Sequence, residues 1–213
     1  MNARIRQLIA GMAAPAILLG SASCGNVART GRSPSTLVID SLEASSGAKP
    51  GTFSGFLNSD VVTLVKVTVN GVETQVPTIF NDVGKVTLRT LLKDAGNPGA
   101  PTSPSNLNAV TIDRYRVVFV RSDGRNTQGV DVPYAFDGAA TATVTPGPTE
   151  VGFELVRHQA KDEAPLRALG GGGGRLFIST IAQITFYGHD QAGNEVSVTG
   201  TISVDFADFG DPS

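Results

Sequence analysis

The sequence predicts an all-β sandwich of about seven to nine strands, and three observations predict it. Between Arg175 and Phe209 apolar residues alternate with polar ones at a period of two, the mark of strands with one buried face. Gly-, Pro- and Asn-rich turns, among them Asn70-Gly71, Gly96-Asn97-Pro98-Gly99 and Pro146-Gly147-Pro148, cut the chain into short segments rich in Val, Ile and Thr. Only Lys161 to Leu169 reads as a helical turn in the chain that follows the N-terminal apolar run.

Taken in order, Thr36 to Ala44 is the first expected strand, followed by a Gly- and Ser-rich connection in which Phe53, Phe56 and Leu57 are packing points. Val61, Val65, Val67 and Val69 alternate up to Asn70-Gly71, with Val72 and Val76 beyond. Asn-Gly between alternating apolar residues is the strongest short hairpin signal, because both turn residues must take φ > 0. Lys85 to Leu92 is the next strand, and the prolines of Lys93 to Asn108 make that stretch a surface loop. In Val110 to Arg121, Tyr115, Val117 and Phe119 share one face, while Pro133 marks Val130 to Phe136 as an edge strand or irregular crossing, and the Asp137-Gly138 pair that follows reads as a turn. Ala140 to Thr145 and Val151 to His158 are two further strands, the latter with Val151, Phe153 and Leu155 on one face. The five glycines Gly170 to Gly174 form a loop before the last hairpin, because a packed element cannot carry their entropic cost. In that hairpin Ile178, Ala182, Ile184 and Phe186 face one way, as do Val196, Val198, Ile202, Val204 and Phe206.

The N-terminus has the pattern of an export signal. Arg4 and Arg6 precede an apolar run from Leu8 to Leu19, then small residues lead to Cys24, the single cysteine of the 213 residues. That run is well short of the ~20 residues a membrane span requires. Gly25 to Pro34 lacks periodicity and reads as a tether. The expected organisation is a signal peptide over 1–23, an acylated Cys24 with its tether over 24–35, and a β-sandwich over 36–213.

Ser21-Ala22-Ser23-Cys24 resembles the lipobox of bacterial lipoproteins, with Ser21 where that family usually has leucine. The resemblance implies diacylation of the Cys24 thiol, cleavage before it, and anchoring in a cell-envelope membrane. Gly25, in place of an aspartate that resembles an inner-membrane retention signal, favours the outer membrane. Ser21 and Ser23 equally satisfy an ordinary signal cleavage site, which leaves a secreted soluble protein as the alternative. A lone thiol in an exported chain argues for the lipid, since disulfide chemistry prevails outside the cytoplasm. Ile184 to Glu195, with its Asp190-Gln191-Ala192-Gly193-Asn194 turn and closing strand, resembles bacterial immunoglobulin-like and fibronectin-like domains. That resemblance implies an immunoglobulin-like antiparallel β-sandwich serving as spacer, adhesion or ligand-binding module, and implies no catalysis.

The chemistry-bearing residues point the same way. A net charge of −2, with the 17 Lys and Arg scattered, gives no footprint for nucleic acid. The two histidines, His158 and His189, stand in no metal-ligand spacing, there is no G-x-S-x-G, and no Lys-Ser/Thr follows the five glycines as a phosphate loop requires. No cofactor or enzyme activity is therefore expected. Asp190, Asn194 and Glu195, with Asp205, Asp208 and Asp211 near the C-terminus, are weak candidates for calcium, since they lack EF-hand spacing. Arg114, Arg116, Arg121 and Arg125 are candidates for a basic patch that meets an anionic glycan or lipid headgroup. Two functions remain: a non-catalytic structural or interaction module of the cell envelope with a protein or glycan partner, or a small-ligand or carbohydrate-binding surface lipoprotein. The absence of tryptophan, with only three tyrosines, supplies little for stacking on sugars and favours the first.

Overall fold

A computed structural model describes residues 32–209 of the chain. The signal, Cys24 and most of the tether lie outside the described residues, as does Asp211. The strands are β1 (Ser35–Ser45), β2 (Phe56–Asp60), β3 (Thr63–Val69), β4 (Val72–Thr78), β5 (Asp82–Leu92), β6 (Gly96–Asn97), β7 (Ala100–Pro101), β8 (Val110–Val120), β9 (Phe136–Val144), β10 (Thr149–Val156), β11 (Phe177–Asp190) and β12 (Glu195–Ala207). One short α-helix, α1 (His158–Lys161), and two 3-10 turns, Asn106–Asn108 and Leu166–Leu169, complete the described chain.

The strands make an all-β sandwich. One sheet has the order β1-β5-β10, and the facing sheet has the order β2-β12-β11-β8-β9. Pairing within both is antiparallel except for β2, which lies parallel to β12. Alternation in the sequence chooses the inward faces. Val86 and Leu88 of β5, Val151, Phe153 and Leu155 of β10, Tyr115, Val117 and Phe119 of β8, and the expected faces of β11 and β12 all contribute to one apolar core.

At the centre of that core aromatic rings cross between the sheets. The Phe153 ring lies 5.4 Å from Tyr115 and 5.2 Å from Phe186, both edge-to-face. Each such contact is worth about 0.5–1.5 kcal/mol beyond area burial. Room for the rings comes from two glycines: a Cβ on Gly84 would stand 2.2 Å from Phe153 Cζ, and one on Gly138 would stand 2.3 Å from Tyr115 Cζ. The Tyr115 hydroxyl accepts the Glu154 backbone N–H at 3.1 Å, tying β8 of one sheet to β10 of the other. Burial, the largest influence, raises the Tyr115 pKa, so the hydroxyl stays protonated through the neutral range.

Several local expectations are corrected. Asp137-Gly138 is no turn but the second and third residues of β9, because Gly138 is the space under Tyr115. Of the two readings of Val130 to Phe136 the irregular crossing is the one found: it has a single bridge between Gln128 and Val132, Val130 is exposed, and Phe136 already opens β9. Lys161 to Leu169 does not make one helical turn; α1 ends at Lys161 and the 3-10 turn begins at Leu166. Of the three residues expected to pack after β1, Leu57 is buried and Phe56 is exposed, since β2 places them on opposite faces.

Strand register gives the sandwich two distinct ends. At one, Ser35 of β1 lies opposite Leu92, and Val110 of β8 lies opposite both Asp190 and Val144. Ser35 Oγ donates to the Asn108 carbonyl at 3.0 Å and joins the two sheets there. We call this the N-terminal end. The remote end collects Ser45 opposite Val83, Asp82 opposite Val156, and Ala207 opposite both Phe177 and Asp60.

The tether boundary also moves. Ser33 and Ser35, placed in the tether by composition, are 1% and 0% exposed, and the Ser33 hydroxyl bonds the buried Asp190 carboxylate while accepting the Ser35 N–H. Small hydroxyl residues without apolar periodicity look like linker until a buried carboxylate needs them. A chain beginning at Arg32 is expected to unfold in one cooperative step. One beginning at Thr36, which leaves Asp190 short of a donor, is expected to lose about 1–3 kcal/mol in denaturant melts; equal midpoints would place the boundary after Ser35.

Candidate functional site

The four arginines do not form one patch. Arg116 and Arg114 share Asp137 of β9, at 2.6 and 3.7 Å, and the Arg114 guanidinium lies 3.8 Å over the Tyr187 ring. Arg121 and Arg125 share Asp123 in the loop after β8, at 2.7 and 2.8 Å. Hydrogen bonds from Arg121 and then Arg125 hold the Asp123 carboxyl well below the usual carboxylate range. β8 separates the two groups along its length, and each places an acid between its cations.

The turn oxygens are likewise spent within the turn. Asp190 Oδ1 accepts the backbone N–H groups of Ala192 and Asn194 at 2.9 and 2.8 Å, and Oδ2 accepts Asn194 Nδ2 at 2.9 Å. Glu195 stands exposed at the start of β12. Asp205 accepts from Ser179, and Asp208 Oδ2 accepts the Gly171 N–H at 2.7 Å. Among the described residues no group of three or more His, Cys, Asp or Glu could hold a metal ion. His158 Nδ1 meets Asn81 Oδ1 at 2.9 Å, and His189 Nδ1 meets Asp113 at 3.5 Å, so the histidines serve separate places.

What the fold does concentrate is apolar surface at the remote end. There β3 and β4 leave the sandwich as a two-stranded ribbon, turned by Asn70 and Gly71 at φ 52° and 80°. The register pairs Val65 with Val76, Val67 with Thr74, and Val69 with Val72, putting five valines on one ribbon face. Lys66, Thr68, Glu73 and Gln75 occupy the other. The expected hairpin about Asn70-Gly71 forms, and its valines meet solvent: Val67, Val69, Val72 and Val76 are 39%, 56%, 64% and 43% exposed. Alternation signals a two-faced ribbon, and it does not say whether anything covers the apolar face.

Leu176, Phe177, Val130 and Tyr134 are exposed at the same end. Two clefts flank the root of the ribbon. One, of about 420 Å³, is lined by Pro50, Val65, Lys66 and Phe80. The other, of about 440 Å³, is lined by Val62, Leu64, Pro77 and Gly171. A further cleft of about 410 Å³ lies between Lys49, Phe56, Leu57 and Phe209. Their linings are mostly apolar, with the charged side chains of Lys66, Lys49 and Asp208 among them.

Behind the clefts sits a buried ionic knot that no sequence pattern announced. Lys161 of α1 and Asp82 of β5 have side chains only 1% and 0% exposed, and Lys161 Nζ lies 2.9 Å from Asp82 Oδ1. Lys161 Nζ also donates to the Asp60 carbonyl at 2.8 Å. Asp82 in turn accepts the Gly47 N–H at 2.8 Å and the Ser59 hydroxyl at 2.6 Å. Asp60 accepts from Thr63 Oγ1 at 2.6 Å and from the Phe209 N–H at 3.0 Å. The knot fixes the roots of β2, β3, β5 and α1, and so the frame from which the ribbon projects. A lysine one residue from an acid in Lys161-Asp162-Glu163 reads as solvated helix surface, which is why spacing alone could not find it.

Burial pushes the Asp190 pKa up, but the hydrogen bonds from Asn194, Ser33 and Ala192 outweigh it and hold the carboxyl below its ordinary value. A carboxyl depressed in the folded state adds stability that is present above its unfolded pKa and is lost as pH falls through the folded one. Acid titration of the folded protein is therefore expected to lose stability below about pH 4, and Asp190→Asn should flatten that limb. Asp123→Asn removes a carboxyl that is also held low, but by solvent-screened arginine pairs, and should change that limb less; the reverse ranking in pH-dependent melts would refute the assignment. Comparison with protein-family models, curated proteins and solved structures returned no match to this chain.

Proposed function

We propose that this chain is a non-catalytic, lipid-anchored module of the bacterial cell envelope, built on an immunoglobulin-like sandwich, that offers its remote end to a protein partner. The observation that carries the reading is the clustering of exposed apolar residues at the end opposite the N-terminus, the ribbon valines above all. A two-stranded ribbon alone is marginal in water, so a face of five valines is a surface suited to being covered.

The immunoglobulin-like assignment rests on strand order. β1, β5 and β10 take the places of strands A, B and E, and β8, β11 and β12 those of C, F and G, with β9 beside C. Among the described residues the arrangement departs from that fold in having no fourth strand beside β10 and in splitting its first strand between the sheets as β1 and β2. Anchoring rests on Ser21-Ala22-Ser23-Cys24, outside the described residues. No helix among the described residues is long and apolar enough to cross a membrane, so acylation of Cys24 would supply the attachment. The clefts at the root of the ribbon support the second reading, binding of a small apolar ligand.

In a bacterial host the wild-type protein should incorporate a fatty-acid probe and fractionate with detergent-soluble membranes, and Cys24→Ser should release it into the soluble fraction with an unchanged melt. Unlabelled wild type in the soluble fraction would establish the ordinary secretory route. Val69→Thr with Val72→Thr should reduce binding of a hydrophobic dye while shifting stability by less than about 0.5 kcal/mol each. A larger loss would mean that the ribbon face packs in the folded monomer.

A further inference from the structure

We propose that Lys161 and Asp82 condense within the folded protein to an intramolecular amide, a covalent link between α1 and the first residue of β5. This inference is independent of the function proposed above. It rests on an amine and a carboxyl held in contact in a dry pocket, with their surroundings arranged on both sides of the pair. Nζ stands 2.9 Å from Asp82 Oδ1, and the two side chains are 1% and 0% exposed. The Asp60 carbonyl fixes the amine from its other side at 2.8 Å. Two donors already rest on the carboxyl: the Gly47 N–H on Oδ1 at 2.8 Å and the Ser59 hydroxyl on Oδ2 at 2.6 Å.

The step balances without any further reactant. One proton passes from the ammonium to Asp82 Oδ1, leaving a neutral amine beside a neutral acid. Nζ then attacks Cγ, forming the C–N bond, and the carbonyl electron pair moves onto Oδ2, where the Ser59 hydroxyl stabilises it as oxyanion-hole donors do. A second proton leaves Nζ for Oδ1, the Cγ–Oδ1 bond breaks, and one water departs. The amide keeps a single N–H on the nitrogen, which remains beside the Asp60 carbonyl. Nothing is oxidised or reduced.

Two physical terms favour the reaction. Fixed contact replaces a bimolecular encounter, and well-oriented intramolecular pairs react as though at effective concentrations far above any solution value. Desolvated charges are costly even when paired, and the amide removes both of them. The link would close the chain between residues 82 and 161, joining the root of the ribbon to the crossover between the sheets.

Peptide mass spectrometry decides the matter. The folded full-length protein, purified and incubated at neutral pH, is unfolded and digested with trypsin. A link makes trypsin fail after Lys161 and yields one branched species, residues 67–85 joined to residues 158–167, lighter than the two peptides together by one water. Fragmentation should place the branch between Asp82 and Lys161, and Lys161→Arg should abolish that species. Recovery of only the linear peptides 67–85, 158–161 and 162–167 after prolonged incubation would overturn the proposal and leave an ion pair. A branch at any other lysine would overturn it equally.

Discussion

Phe153 is the contact on which the two sheets agree. It belongs to the three-stranded sheet, yet its ring is held between Tyr115 and Phe186 of the five-stranded one. Burying an aromatic side chain of this kind contributes about 1.5–3 kcal/mol. The arrangement also dictates sequence elsewhere: Gly84 must be bare beneath Phe153 and Gly138 beneath Tyr115. Once these rings are seated, the alternation in β5, β8, β9, β10 and β11 has one register left to it, since a slip of one residue would turn every apolar side chain outward. The two ends of the sandwich follow from that register.

Those ends are closed by different physics. At the N-terminal end a single carboxylate, Asp190, collects donors from its own turn and from Ser33, so the closure is made of hydrogen bonds to one buried charge. At the remote end the closure is an opposed pair, Lys161 and Asp82, with backbone and hydroxyl groups filling the remaining positions. Elsewhere charge is handled at the surface, where Asp137 and Asp123 each sit between two arginines. Exposed pairs of this sort add little to stability. Their effect here is to break a run of basic residues into two groups, each with an acid between its arginines.

Most strands were legible because alternation and turn residues are local. The final hairpin, the Asn70-Gly71 turn, and the inward faces of β8 and β10 could be read from periods of two and from residues that tolerate φ > 0. What could not be read depends on contacts between distant residues. Gly138 looks like a turn residue and is a strand residue chosen for Tyr115; Ser33 looks like linker and is a ligand of Asp190; Lys161 looks like helix surface and is wholly buried. The ribbon valines are the opposite case. Their pattern was correctly periodic, and only the position of the ribbon beyond the sandwich decides that they meet solvent. The arginines and turn acids stand out in the sequence by type alone, and only the fold shows which partners they hold.

The division of the first strand between β1 and β2 bears on how the domain responds to force. β1 starts at the N-terminal end and runs the length of the sandwich against β5, whereas β2 has crossed to the other sheet and lies parallel to β12. Tension that enters at Ser35 and leaves through a partner gripping the remote end is directed along both strands. The backbone hydrogen bonds of the two ladders are then loaded in shear, all at once, and do not peel apart one by one as they would if pulled sideways. Such a strand behaves as a clamp in series with the chain that precedes it, resisting extension until a whole ladder gives way together.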